Sequence, residues 1–519
     1  MDKKCNNLTP RKIFLFGLCV TAMIFAVSAI FPDGMKIGTV TFLYPDYRTL
    51  VKPGTVVYKD IQAIIALVDT VDHPFEPVPF PQIESIAKDS ITNDSIANDS
   101  IAKDIITSDS IVKKETPLKS DSLSRKSIDD AYSGIRPFEF PQGQDTLLFP
   151  LFRSFHYLYQ RDKPIRILHY GDSQIETDRI TSTIRNYMQK RYGGQGVGFL
   201  PVVPAADVAI TFQQDVSPHW KRFSALVRSN REQVEDSRFG ISGNLVRYFP
   251  VDQSDTVAHI GLLPVYMGYR NSRTFTHARL FYGSANKPFT IIANHADTLQ
   301  LTAHDTVSSV LWWFETSQNS LNLQLVSSCL PDLYGIALDG ERGVAVDNLA
   351  LRGSSGLDFS RMDTAQLGQM FRMMDVEMLI LQFGANIVTT IYNYDDYARK
   401  FVNELLMLKA LKPELTIVVA GVQDMSQNSP NGYKSYPNIL KIRDAQKKAA
   451  FEAGCVFWDL YEAMGGKNSM PGWVFADPPL AKKDFVHFTI GGAKIVAELF
   501  CKAWEKEYQK FLNNFLMYE

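Results

Sequence analysis

The sequence predicts a flavodoxin-like, three-layer α/β/α domain with a parallel sheet, interrupted by an antiparallel β-sandwich. Three observations predict it. Apolar, β-branched runs alternate with helical patterns, as in a doubly wound sheet. The first two of these runs are separated by a stretch far too long for one crossover helix. That stretch is filled with short alternating segments at close intervals, the pattern of a sandwich.

The runs "IRILHYG" (165–171), "VEMLILQFG" (376–384), "LTIVVAGV" (415–422) and "VFWDL" (456–460) have the length and composition of buried parallel strands. "GVAVDNLAL" (343–351) is a fifth. Helical periodicity covers Ile175–Tyr192, Asp395–Leu411, Asn438–Ala453 and Ile490–Phe515. The α/β domain is thus expected in two parts, 138–204 and 341–519. The insert, 205–340, contains "RTFTHARLFYG", "PFTIIANH", "DTLQLTAHD", "SSVLWWFET" and "SLNLQLVSS". Alternation places one of Trp312 and Trp313 in its core.

The N-terminal part differs in character. Lys3, Lys4, Arg11 and Lys12 precede an uncharged apolar run, Ile13 to Phe31. This pattern predicts a cytoplasmic tail (1–12) and a transmembrane helix (13–31), with everything after Pro32 exported. A signal peptide cut after Val27-Ser28-Ala29 is the alternative, and gives export as well. Residues 33–76 offer one strand in "GTVTFLYP" and one short helix in "DIQAIIALVDT". From 77 to 134 a five-residue period sets in, with Ser85, Ser90, Ser95, Ser100 and Ser110 each followed by isoleucine. Five matches neither helix nor strand, so the tract reads as a disordered linker tethering the domain that follows.

Lys and Arg total 54 against 56 acidic residues, a net charge of −2, with no basic tract to support nucleic-acid binding. Cys5, Cys19, Cys329, Cys455 and Cys501 form no metal-ligand spacing, and no cofactor motif is present. Ligands of open α/β sheets bind beyond the carboxyl ends of the strands. Those ends carry Gly171-Asp172-Ser173, Arg352-Gly353-Ser354 and Gly384-Ala385-Asn386, and "KKDFVHFT" with Asp484 and His487 precedes the last helix. Ser173 is either a helix cap or a nucleophile. As a nucleophile it needs a base, for which His487 serves, and an orienting acid, for which Asp484 serves. The backbone amides of Ser173 and Gly353 and the side chain of Asn386 would stabilise an oxyanion. Glu176, Asp178 and Arg179 are close enough in sequence to line such a cleft. His169 reads as a core residue.

These four blocks, in this order, resemble the SGNH hydrolases of the GDSL esterase superfamily. The resemblance implies Ser173 as nucleophile, His487 as base and Asp484 as its partner, with Ser173, Gly353 and Asn386 forming the oxyanion hole. It implies a serine esterase with no metal or cofactor. The second block departs from the family pattern: "DNLALRG" keeps the asparagine, Asn348, but not the usual earlier glycine. In the third block Ile387 stands where aspartate is frequent. The inserted sandwich is similar to that of bacterial cell-envelope glycan O-acetylesterases, which implies an acylated glycan or small ester as substrate. An acyltransferase on the same residues, or an inactive glycan-binding protein, remains open from sequence.

Overall fold

The computed structural model describes residues 10–30, 35–37, 40–42, 58–69, 125–204, 210–250 and 256–515. Five parallel strands form the central sheet: β1 (Ile165–Gly171), β2 (Val344–Ala350), β3 (Val376–Gln382), β4 (Thr416–Ala420) and β5 (Val456–Trp458). Their order is β2-β1-β3-β4-β5, and Phe138–Glu139 adds a short antiparallel edge beside β5. Five helices cover it: α1 (Thr181–Tyr192), α2 (Thr364–Met373), α3 (Tyr394–Leu411), α4 (Ile439–Glu452) and α5 (Ile490–Phe515).

Strand alternation sorts the two faces. Ile165, Ile167, Met378, Ile380 and Val418 pack with Ile184 and Met188 of α1 and Phe500 and Trp504 of α5. Leu168, Tyr170, Leu379, Leu381 and Val419 face the other way, onto Phe371 of α2, Phe401 and Leu405 of α3 and Ile442 of α4. Both faces are covered, which is why the strands read as continuous apolar runs.

The insert is a sandwich of two antiparallel sheets. One contains Phe275–Tyr282, Ser308–Gln318, Leu333–Asp339, Asn244–Tyr248 and Trp220–Ser224; the other contains Phe289–Ala293, Asp297–Leu301, Leu321–Val326, Val257–Pro264 and Phe212–Val216. Leu280, Ile291, Leu323 and Ile260 meet between them. Trp312 points into this core, whereas Trp313 is exposed against the ring of His277. The sandwich begins earlier than the sequence suggested. Gly198–Leu200 already pairs with Leu333–Asp339, because Gly198 takes a positive φ (+78°) that turns the chain into the sheet. A buried ion cluster fixes the insert to the α/β domain. Arg166 of β1 donates to both carboxylate oxygens of Asp347 of β2 (2.7 and 2.8 Å) and also to Asp339, at the end of the sandwich. Asp347 accepts in addition from the Phe199 amide at 3.0 Å.

Two expectations for the N-terminal part find no support among the described residues. Pro10–Ile30 is helical, yet among the described residues no helix is long and apolar enough to cross a membrane. The disordered linker expected over 77–134 is described only in its last residues: 77–124 lie outside the described residues, but both flanks are built into the α/β domain. Upstream, Gln62–Asp69 is a helix with Ile61 and Ile64 in the core beside α5, and Lys502 of α5 donates to the Leu67 carbonyl. Downstream, Arg125–Ala131 is a helix with Ile128 fully buried, and Asp129 pairs with Lys506 of α5 at 3.0 Å. The flanks touch each other, since a Cβ on Gly134 would lie 2.9 Å from Leu67.

Deleting residues 77–124 should not lower the denaturation midpoint, because shortening the connection between Asp69 and Arg125 reduces the closure entropy cost, by about 2 kcal/mol. Ile128→Ala should instead cost about 2–5 kcal/mol in urea unfolding, as truncation of a buried isoleucine does. Equal effects of the two changes would contradict this placement.

Candidate active site

Ser173 follows β1 directly. Gly171 is required there because a Cβ would lie 2.8 Å from the Gln382 carbonyl of β3. Asp172 then turns inward and is buried. Its Oδ1 accepts from the Gln174 amide at 2.9 Å, and its Oδ2 accepts from the Gly384 and Ala385 amides at 3.1 Å each. One carboxylate thus joins the loop after β1 to the loop after β3. Burial pushes the Asp172 carboxyl up to about 6, against the pull of these three amides and of nearby His487.

The Ser173 hydroxyl lies 2.8 Å from His487 Nε2, and His487 Nδ1 lies 2.9 Å from Asp484 Oδ2. Asp484 also accepts from the Val486 and His487 amides at 2.9 and 3.0 Å. Burial raises the Asp484 carboxyl, but the hydrogen bonds from His487 and Val486 outweigh it and hold the group below its ordinary value. An ionised carboxylate only accepts, so the Nδ1 atom carries the imidazole proton and Nε2 is left to accept from Ser173. The turn that makes this possible passes through Phe485 at φ +57°, a conformation rare for a bulky residue. Phe485 is kept there by the ring of Tyr433, which stacks on it with centroids 3.5 Å apart, and by its carbonyl accepting from the Ser426 amide at 3.1 Å.

Gln174 is the residue that ties the histidine loop to the serine. It is buried; its Nε2 donates to the Val486 carbonyl at 2.6 Å and its Oε1 accepts from the Phe488 amide at 3.4 Å. The side-chain amide therefore grips the backbone on both sides of His487. Sequence reading gave Asp172 only a place in the Gly-Asp-Ser block and a capping role, and passed over Gln174. The available signal was two polar residues flanking a serine at the end of a buried strand.

The other two blocks converge on the same edge. Gly353 has φ +87°, and a Cβ there would meet nothing within 4 Å. The glycine is demanded by backbone conformation, and the space beside it is open. Asn386 Nδ2 donates one hydrogen to the Ser354 carbonyl at 3.0 Å, which leaves its second hydrogen unused by that bond. Asn386 sits in the short helix Ala385–Val388, whose preceding Gly384 could carry no side chain: a Cβ would lie 2.5 Å from Val422.

Among the remaining candidates, His169 is fully buried between Gln382 (3.2 Å) and Thr181 (2.9 Å), and burial lowers its pKa to about 3, so it stays neutral in the core. Glu176 faces Arg352 at 3.4 Å. Asp178 pairs with buried Arg185 at 2.7 and 2.9 Å. The helix expected from Ile175 starts only at Thr181, because Thr177 (φ +62°) and Asp178 (φ +66°) break it.

No family model matches the chain, and no curated protein does. Among solved structures, a peptidoglycan O-acetylesterase superposes with a TM-score of 0.58 at 18% identity, over 71% of this chain and 99% of that one. The chain shares the fold of that esterase. A putative GDSL-like lipase from Parabacteroides merdae matches with TM-score 0.23 and 16% identity, over 31% of this chain and 74% of that one. A family two carbohydrate esterase from Cellvibrio japonicus matches with TM-score 0.17 and 8% identity, over 47% and 86%. At those TM-scores neither adds to the argument.

Asp172 gives a prediction with a definite sign. Its carboxyl binds a proton more tightly in the folded state, about 6, than in the unfolded chain, about 4. Its contribution is therefore fully present below about pH 4 and is lost as pH rises to about 6. The stability of wild type relative to Asp172→Asn, measured by denaturant titration, should fall across that window and level off above it. A difference that stays flat from pH 4 to 6 would contradict the assignment.

Proposed function

We propose that the protein is an exported serine esterase that removes small acyl groups, above all O-acetyl groups, from a cell-envelope glycan. The observation that carries this reading is the continuous hydrogen-bonded relay from Ser173 through His487 to Asp484, at 2.8 and 2.9 Å, on the carboxyl edge of the sheet. The glycan is suggested by the shared fold with a peptidoglycan O-acetylesterase that matches 71% of this chain. Export is suggested by the basic flank and apolar run at the N-terminus, read as a cleavable signal with Val27-Ser28-Ala29 before the cut.

In this mechanism Ser173 Oγ attacks the ester carbonyl carbon while its proton passes to His487 Nε2. The charge on the former carbonyl oxygen is met by the Ser173 and Gly353 amides and the free hydrogen of Asn386 Nδ2. The imidazolium is stabilised by Asp484. The C–O bond to the sugar then breaks, and the leaving alkoxide takes the proton from His487. Water attacks the acyl-serine, giving its proton to His487, and the carboxylic acid leaves as Ser173 regains its hydrogen.

Ser173→Ala should abolish hydrolysis of p-nitrophenyl acetate without changing the thermal midpoint. Asn386→Ala should lower kcat by about a hundredfold or more with little change in KM, the signature of a lost oxyanion donor. Wild-type turnover in the first variant, or a change confined to KM in the second, would refute these roles.

A further inference from the structure

Ser354 is a second serine at the active-site edge, and the mechanism above makes no use of it. It is buried, so its hydroxyl has no access to an ester. All of its polar atoms are engaged. The hydroxyl donates to Asp358 Oδ2 and accepts from the Gly356 amide at 3.0 Å. The Ser354 amide donates to the Leu351 carbonyl at 2.9 Å, and the Ser354 carbonyl accepts from Asn386 Nδ2 at 3.0 Å. Resting on the esterase reading, we propose that Ser354, locked by Asp358, is a positioning residue of the oxyanion hole, setting the direction in which Asn386 donates.

The first support is the chemistry of that contact. A backbone carbonyl only accepts, so Ser354 selects Nδ2 of Asn386 over Oδ1. The side-chain amide is planar, so holding one hydrogen at the Ser354 carbonyl fixes the line of the other. The last torsion of an asparagine is intrinsically broad. Without the carbonyl, the amide is free to turn Oδ1 toward a developing oxyanion, where a partial negative charge repels instead of stabilising.

The second support is the place of Ser354 in the chain. It directly follows Gly353, whose amide is the other donor expected from this loop. The Leu351 amide donates to the Gly171 carbonyl at 2.7 Å, so the loop starts from the end of β1, two residues before Ser173. One turn thus runs from the strand of the nucleophile to the short helix Ala385–Val388 that carries Asn386.

The third support is the lock behind it. Asp358 is buried and pairs with Arg361 through Oδ1, which leaves Oδ2 for Ser354. Gly356 turns the chain at φ +82°, and a Cβ there would lie 3.0 Å from the Phe383 ring. Helix α3 holds the loop on both sides of Asp358. Tyr397 donates to the Ser355 carbonyl at 3.3 Å, and Glu404 accepts from the Ser360 amide and hydroxyl at 2.9 and 2.6 Å. A loop held this way keeps the Ser354 carbonyl in place, so Asn386 must conform to it.

The test is steady-state hydrolysis of p-nitrophenyl acetate by the full chain, with the thermal midpoint confirming the fold of each variant. Ser354→Ala removes the hydroxyl lock. It should lower kcat at least about tenfold with KM nearly unchanged, part of the loss expected for the donor itself. Asp358→Ala should do the same, whereas Asp358→Asn keeps an acceptor for the hydroxyl and should retain most of the turnover. The decisive comparison is a double-mutant cycle. Because Ser354 acts through Asn386, the loss caused by Ser354→Ala should be at least about threefold smaller in an Asn386→Ala background. Near-wild-type kcat in folded Ser354→Ala overturns the proposal. So does an equal loss in both backgrounds, the mark of a merely structural role. If Ser354→Ala does not fold, the Asp358 variants decide, and equal turnover in the two overturns it. A wild type that hydrolyses no p-nitrophenyl acetate refutes the esterase reading, and this proposal with it.

Discussion

The carboxylate of Asp172 is the joint on which the site depends. Its two oxygens accept from amides on both sides of the gap between β1 and β3. One of those amides belongs to Gln174, whose side chain in turn holds the backbone around His487. Ser173, Asn386 and His487 therefore share one buried support, although they are separated by hundreds of residues in the chain. A carboxylate that is buried yet hydrogen-bonded on both oxygens is costly to remove and hard to replace, because no neutral side chain offers acceptors in the same directions.

The sandwich is fixed as firmly as the site. Arg166, Asp347 and Asp339 bring β1, β2 and the end of the insert to one point, and the Phe199 amide adds the beginning of the insert. Removing one member of such a cluster would leave an uncompensated buried charge, at about 3–5 kcal/mol. Both ends of the inserted chain are thereby held against the strand that carries Ser173.

Much of the fold was legible because its signals are local. Continuous apolar runs marked the five parallel strands, and alternation marked Phe275–Tyr282, Phe289–Ala293 and Leu321–Val326 of the sandwich. The residues Ser173, Gly353, Asn386, Asp484 and His487 could be picked out because each stands at a strand end or before a helix, where polar groups are conspicuous. What escaped the sequence depends on distant partners. The periodicity from Ile175 onward looks helical, and only the pull of Arg185 on Asp178 explains why the helix waits until Thr181. Ile61, Ile64 and Ile128 carry no mark that sends them to α5, so the repeat between them was taken for a tether. Gln174 looked like an ordinary polar residue until its two backbone partners came from the opposite end of the chain.

The central claim is that His487 makes Ser173 nucleophilic. The direct measurement is covalent labelling with a fluorophosphonate, read by intact mass and peptide mapping. The account predicts a single adduct on the Ser173 peptide at neutral pH, formed far more slowly in His487→Gln. An adduct on another residue, no adduct at all, or equal labelling rates in the two proteins would contradict it.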